Sequence, residues 1–454
     1  GILQSFLKKL DITNNMDFKT VIREQKEELE EIERTEKIIP RDALREAKKF
    51  LGHPNILAVL GVRRCGKSVF SYLLAKEISG EKNFGYINFD DERLAEVKTS
   101  DLNDILQAFY ELYGDVDCVV LDEAQNVEKW ELFANRLRRT KRVIITGSNS
   151  ELLSGELATR LTGRHVDVTL YPFSFKEFVK FKNKSEESSV TPTVKQPNET
   201  AVYTTKEKAG VLRFLNEYLT LGGFPETSKF GKTTPAKIYN DVLTKDVLLK
   251  HGIRKKEAIK NLARYLVTNS AGEITYTKLA KIFGVKNVST LSNWVSFLED
   301  AFLIIKLERF AFKLKQQFVA PKKVYCVDNG MVNAVGFTFS ENAGKLMENA
   351  VAVELQRRKA GDSEFATGVY YWKDHQQNEV DFVVKKGARV TQLVQVTRAS
   401  DASEVNEREV KALLKASRQL RCGDLLVITW DYEGAEKIKG KRIAFTPLWK
   451  WLLE

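Results

Sequence analysis

Gly61-Val62-Arg63-Arg64-Cys65-Gly66-Lys67-Ser68 meets the pattern G-x-x-x-x-G-K-[ST] in full. A loop that wraps a polyphosphate must bring backbone N–H groups inward at close range, and glycines leave room for that approach. The ammonium of Lys67 would then neutralise the β- and γ-phosphates, and the Ser68 hydroxyl would ligate Mg²⁺. Val69 continues into a segment expected to be helical, whose N-terminal field favours anions. The expected ligands are therefore ATP, cradled by residues 61–69, and Mg²⁺.

A buried run, Cys118-Val119-Val120-Leu121, ends in Asp122-Glu123. Asp122 is expected in the Mg²⁺ shell, and Glu123 beside the attacking water as its base. A strand-end acid pair facing solvent is common, but downstream of a phosphate loop it takes this second meaning. Val143–Thr146 runs into Gly147-Ser148-Asn149-Ser150, where Ser148 or Asn149 is placed to touch the γ-phosphate or the water. Arg160 and Arg164 flank Leu161-Thr162-Gly163, and one of them is a candidate arginine finger reaching a neighbouring subunit's nucleotide. A surface ion pair is the plainer reading of either.

These groups need a scaffold that gathers loop ends. Strands are expected at Asn55–Leu60, Gly85–Phe89, Cys118–Leu121 and Val143–Thr146, with helices at Lys67–Ile78, Leu102–Leu112 and Trp130–Arg138. Such alternation predicts a parallel sheet with crossover helices. Residues 17–36 are charged and helix-prone and read as an exposed or partner-facing helix. Residues 183–206 are rich in Ser, Thr and Pro and read as a linker or insertion. Helical pattern resumes at Ala209–Thr220, before the turn Gly222-Gly223-Phe224-Pro225.

The 454 residues, 43% hydrophobic and 29% charged, exclude a disordered chain, a collagen and a disulfide scaffold. The four cysteines form no C-x-x-C and no His pair has ligand spacing, so no metal ribbon is written here and a reducing cytoplasm fits. No apolar run approaches the ~18 residues of a membrane span. Net charge is +11, and residues 251–323 alone carry 14 Lys and Arg against 5 Asp and Glu. That excess points to a polyanion.

The same stretch has the rhythm of a winged helix-turn-helix: helices at 257–267, 276–283 and 289–298, then strands at 303–308 and 323–327. Asn287, Ser289, Thr290 and Asn293 begin the third helix, the end that enters a major groove. Lys278, Lys281 and Lys286 are placed for phosphates, and Arg254, Lys255 and Lys256 form a second basic cluster. The expected partner is duplex or branched DNA. A winged helix that only packs against its neighbours is the alternative.

Taken together, Ile39-Pro40-Arg41, the double-Arg phosphate loop, LDEAQ (121–125), GSNSELLS (147–154), LYPFSFKEF (170–178), GGFPE (222–226) and WKDHQQNEVDFVV (372–384) resemble the archaeal-type ATPase family of the AAA+ class. The resemblance covers nearly the whole chain. It implies an α/β protein: a P-loop AAA+ parallel-sheet core, then a helical and winged-helix part, then a C-terminal domain like PD-(D/E)xK nucleases. The corresponding expected boundaries are 1–35, 36–180, 181–206, 207–252, 253–330 and 331–454.

The nuclease pattern wants an acid on the first helix, an acid on the second strand and an E-x-K on the third, so that carboxylates hold metal and Lys positions a water. Glu348 and Asp381 fill the first two places, but Gln395 and Thr397 stand where the third strand needs Glu and Lys. The domain is therefore expected to keep the fold and lose the cleavage. Glu379, two residues before Asp381, and Lys385 are the candidates to compensate. The whole reads as an ATP-hydrolysing DNA motor or switch, expected to work as a homo-oligomer. The alternatives are an ATP-dependent switch acting on a protein partner, and a DNA-binding regulator with structural ATP.

Overall fold

The computed structural model describes residues 17–50, 55–80, 83–150, 164–185, 203–336, 343–361 and 367–454. Arg160 lies outside them. Five segments make the first sheet: β1 (Ile56–Leu60), β2 (Phe84–Asn88), β3 (Cys118–Asp122), β4 (Arg142–Gly147) and β5 (His165–Thr169). β1 and β3 are buried at every position, as strands covered on both faces must be. Neighbours are all parallel, in the order β2-β3-β4-β1-β5. Every C-terminal strand end thus lies on one edge. Because β4 runs between β1 and β3, the loops leaving these three strands meet there. The fold is α/β, with a parallel-sheet core of the P-loop AAA+ kind.

The helix Phe18–Thr35 is not the exposed or partner-facing element the charge pattern suggests. Its Val21, Ile22, Gln25, Lys26 and Leu29 are buried. The Gln25 side chain donates to Asn88 O at 3.1 Å and accepts from Asn88 N at 2.9 Å. This covers the open edge of β2 at its last residue, and of the helix's charged residues only Lys26 is buried, over the Phe84 and Tyr113 rings.

After the helix Phe175–Ser185, which crosses the expected boundary at 180, come the helices Thr205–Leu221 and Thr234–Asp241 and a π-helical stretch, Val242–Leu249. The helices Lys256–Thr268, Tyr276–Ile282 and Val288–Asp300 accompany an antiparallel sheet, ordered β6 (Gly272–Ile274), β8 (Lys322–Cys326), β7 (Ile304–Leu307). A continuous apolar core links β1 and β4 to residues 242–248 and to these helices. The last part is a six-stranded mixed sheet of β9 (Thr367–Lys373), β10 (Glu379–Lys386), β11 (Arg389–Val396), β12 (Leu425–Thr429), β13 (Gly434–Ile438) and β14 (Lys441–Pro447), ordered β13-β14-β12-β11-β10-β9. The helices Ala343–Ala360 and Glu407–Leu420 pack on it.

Candidate nucleotide site and a buried ion cluster

β1 ends at Leu60, and the loop of residues 61–66 leads directly into the helix Lys67–Ser79. Two glycines shape it. Gly66 has φ 98°, which L side chains rarely adopt. A Cβ on Gly61 would stand 2.1 Å from Leu170 O. Cys65 turns its thiol inward to Leu170 O at 3.2 Å. Arg41, from the Ile-Pro-Arg segment, braces the loop from behind. Its guanidinium donates to Cys65 O (2.9 Å) and Tyr171 O (2.5 Å), and its Nε lies 3.0 Å from Glu177. The motif gave no role to this buttress, although it marked the residue.

Lys67 is buried, and its Nζ donates to Gly61 O at 3.2 Å and lies 3.5 Å from Glu123 Oε1. Burial opposes its charge, but Glu123 and the other acids nearby outweigh that, so its pKa is raised. Burial likewise opposes the Glu123 charge, while Lys67 and Arg63 hold its pKa down. Glu123 sits in the left-handed region at φ 52°. Its amide donates to Thr146 Oγ1 at 2.9 Å, and Gln125 Nε2 donates to its carboxylate at 2.5 Å.

Asp122 is fully buried at the end of β3, with Tyr86 Oη donating at 2.5 Å and Thr146 Oγ1 donating to its other oxygen. Burial and the neighbouring Glu123 raise its pKa, while hydrogen bonding from Ser68 pulls it down. The structure thus brings Lys67, Ser68, Asp122 and Glu123 to one place. A buried carboxylate facing a hydroxyl at a helix N-terminus, with too little positive charge of its own, is a donor set that fits Mg²⁺.

Ser148 and Asn149, at the exit of β4, are both buried. Ser148 Oγ donates to Asp246 Oδ1 at 2.9 Å. Asp246, from the π-helical stretch, also pairs with Arg63 through Nε and Nη2, each at 3.1 Å. Arg64 is exposed and pairs with Glu226 at 3.0 Å and Asp241 at 2.5 Å. These acids lie about 160 to 180 residues from the loop, and no local pattern announced Asp241 or Asp246. Arg164 lies just before β5, at the opposite end of the sheet from the phosphate loop, with Nη1 3.5 Å from Asn135 Oδ1.

Lys278, Lys281, Lys286, Asn287, Ser289, Asn293, Arg254, Lys255 and Lys256 are all exposed, and Thr290 is half-buried. Asn287 caps the helix Val288–Asp300, accepting from Ser289 N at 3.0 Å and Ser289 Oγ at 2.8 Å. Not all of the basic excess in 251–323 is on the surface. Lys322 is buried against Glu308 at 2.8 Å, and Lys323 is buried too. A charge count made on sequence includes these structural cations.

Lys323, on β8, enters the acid cluster of the last domain. Its Nζ lies 2.8 Å from Glu348, 2.6 Å from Glu379 and 3.2 Å from Asp381. Tyr325 Oη donates to Glu348 at 2.7 Å, and Val396 N donates to Asp381 Oδ2 at 3.0 Å. Gln395 Oε1 accepts only a long contact, 3.4 Å, from Asp381 N, and Thr397 is buried nearby. Glu379 therefore joins the cluster as its strand position suggested. The cation comes not from Lys385 but from a residue 58 positions before Asp381. Burial opposes the Lys323 charge, yet the surrounding acids raise its pKa well above the ordinary value. Asp381 is pushed up by burial and by Glu348. Among the described residues no group of three or more His, Cys, Asp and Glu is placed to hold a metal ion.

Residues 53–179 match an AAA domain, residues 212–342 a domain of unknown function (DUF8612) and residues 343–451 a second one (DUF4143). A Haemophilus influenzae protein is 29% identical over 88% of this chain and 94% of its own length. The Walker-type ATPase PABY2304 of Pyrococcus abyssi aligns over 66% of this chain and 97% of its own, with 14% identity and a TM-score of 0.39. The uncharacterized protein MJ1544 of Methanocaldococcus jannaschii is 34% identical over 98% of each chain. An identity of that level along the full length makes this AAA-domain chain a member of the MJ1544 family.

Proposed function

We propose that the protein hydrolyses ATP and couples that hydrolysis to DNA, as a motor or a switch. The observation that carries the first half is the Lys67–Glu123 pair, 3.5 Å apart at the joint exit of β1 and β3. In the free protein Lys67 and Glu123 neutralise one another. When ATP lies on the amides of residues 61–68, Lys67 turns to the phosphate oxygens and Glu123 is released to take a proton from water. Ser68 and Asp122 would hold Mg²⁺, which supplies positive charge to the β- and γ-phosphates. Water then attacks the γ-phosphorus in line, giving ADP and phosphate.

The second half is supported by topology and surface. Three helices with a β6-β8-β7 sheet support a winged-helix reading, and Lys278, Lys281 and Lys286 stand exposed round the start of the third helix. We place a homo-oligomer in the cytoplasm as the working form, with Arg160 or Arg164 meeting a neighbour's nucleotide. We read the C-terminal sheet as a PD-(D/E)xK-like domain that binds or assembles rather than cuts, a reading supported by Gln395 on β11 and Thr397 just beyond it. The deciding experiment is the ATPase rate alone and with duplex, single-stranded and branched DNA. Stimulation by one of these supports the reading. Turnover indifferent to all DNA favours a protein partner, and ATP binding without turnover favours a regulator with structural ATP.

A further inference from the structure

Asp246 is 5% exposed and touches two groups assigned above to the nucleotide site. Both nitrogens of one edge of Arg63 contact its two oxygens, at 3.1 Å each, and Ser148 Oγ donates to it at 2.9 Å. Lys67 lies within electrostatic reach of the same carboxylate. A guanidinium, a hydroxyl and an ammonium converging from the exits of β1 and β4 are what a terminal phosphate would use. Here a carboxylate, delivered by a π-helical stretch, takes two of them. π-helical turns are rare and cluster at functional positions.

The same stretch touches the third helix of the winged-helix unit. Five residues beyond Asp246, the His251 ring stacks on Phe297 with centroids 3.7 Å apart and planes 7° from parallel. Ser150, two residues beyond Ser148, donates to Asp300 at the end of that helix at 2.7 Å. Asp246 and its partner Ser148 are therefore each one short segment away from the helix whose N-terminus bears Asn287, Ser289 and Asn293.

We propose that Asp246 is a stand-in for the γ-phosphate. ATP, and not ADP, takes Arg63 and Ser148 from it, and the freed 242–252 segment shifts the helix Val288–Asp300. The inference rests on the ATP reading of this site. Its physical requirement is that the ligand distinguish two states, since a ligand shifts an equilibrium only by its differential affinity. ADP, lacking the third phosphate, offers nothing to exchange for the carboxylate.

The test is calorimetric binding of a non-hydrolysable ATP analogue and of ADP to the full chain and to Asp246→Asn. With the competing charge gone, the analogue should bind about tenfold tighter, while ADP stays within about twofold. Asp246→Glu, which keeps the charge, should leave the analogue-to-ADP ratio near the parent value. Hydrogen exchange in 242–252 and 288–300 of the parent should rise with the analogue and not with ADP. A parent that binds the analogue without that rise, or an Asn variant with an unchanged ratio, overturns the latch while leaving the ATP reading intact. A parent that binds neither nucleotide overturns both. If the Asn variant does not fold, the exchange measurement on the parent decides alone.

Discussion

Lys323 Nζ lies 2.6 Å from Glu379 Oε1, although β8, which carries the lysine, and β10, which carries the glutamate, belong to different sheets. The contact pins the β6-β8-β7 unit to the C-terminal sheet. It also supplies a fixed positive charge among Glu348, Glu379 and Asp381, where the nuclease pattern would gather a metal. Lys373, 3.1 Å from Glu379, shares the load. Burial, with the neighbouring Glu348, drives the Asp381 carboxyl upward despite Lys323, whereas at Glu379 the effect of burial is overcome by Lys323 and Lys373.

Removing that cation should be costly. Lys323→Met leaves Glu348 and Asp381 without their ammonium, and breaking a buried pair from one side typically costs about 3–5 kcal/mol. Denaturant unfolding should show that loss, and adding Glu348→Gln to Lys323→Met should restore part of it. A Lys323→Met protein as stable as the parent would remove the ammonium from this role.

The C-terminal domain is expected to leave DNA intact. Gln395 offers a neutral carbonyl where a carboxylate is needed, and Lys323 stands among the remaining acids. Supercoiled, linear and branched DNA incubated with Mg²⁺ or Mn²⁺ should be recovered whole. Metal-dependent cuts that vanish in Asp381→Ala would show the opposite.

Two substitutions separate binding from chemistry at the phosphate loop. Lys67→Ala should abolish productive ATP binding. Glu123→Gln should bind ATP normally and lose turnover by about a hundredfold or more, because Asp122 and Ser68 are untouched while water activation is lost. Parent-like turnover in the Gln variant would take the general-base role away from Glu123.

DNA affinity should fall steeply with salt as phosphate contacts release counterions. Reversing the charge at Lys278, Lys281 and Lys286 should flatten that slope and remove most of the affinity, as read by fluorescence anisotropy over a salt series. Unchanged affinity would move the contact surface elsewhere.

Asp328 gives a pH dependence. Buried at the junction of the three parts, it accepts from Gly223 N at 2.6 Å and Met331 N at 3.3 Å, yet burial raises its pKa to about 6. Between its ordinary value of 3.8 and about 6 the folded chain holds a proton the unfolded chain has lost. Its contribution to stability is therefore fully present below pH 3.8 and is lost as pH rises through about 6, with a slope of at most about 1.4 kcal/mol per pH unit. Asp328→Asn should lose that slope in denaturation curves between pH 4 and 7. A slope equal to the parent's would assign the titration to another group.

What the sequence determined by itself is local. The phosphate loop, the strand running into Asp122-Glu123 and the β4 exit carry their meaning in a few adjacent residues, because apolar runs specify buried strands and glycines specify the turn between strand and helix. The strands β1 to β4 and their helices fell within a residue or two of expectation for the same reason. β5, β6, β13 and β14 were missed: polar and charged residues interrupt them, and what holds them is pairing to β1, β8, β12 and each other. The burial of the helix Phe18–Thr35 was missed because five inward positions are outnumbered by charges that face water. Asp246 beside Arg63 and Lys323 among Glu348, Glu379 and Asp381 belong wholly to the tertiary structure. A buried charge finds its partner by proximity in space, and these partners lie 183, 25, 56 and 58 residues away along the chain, beyond the reach of any spacing rule.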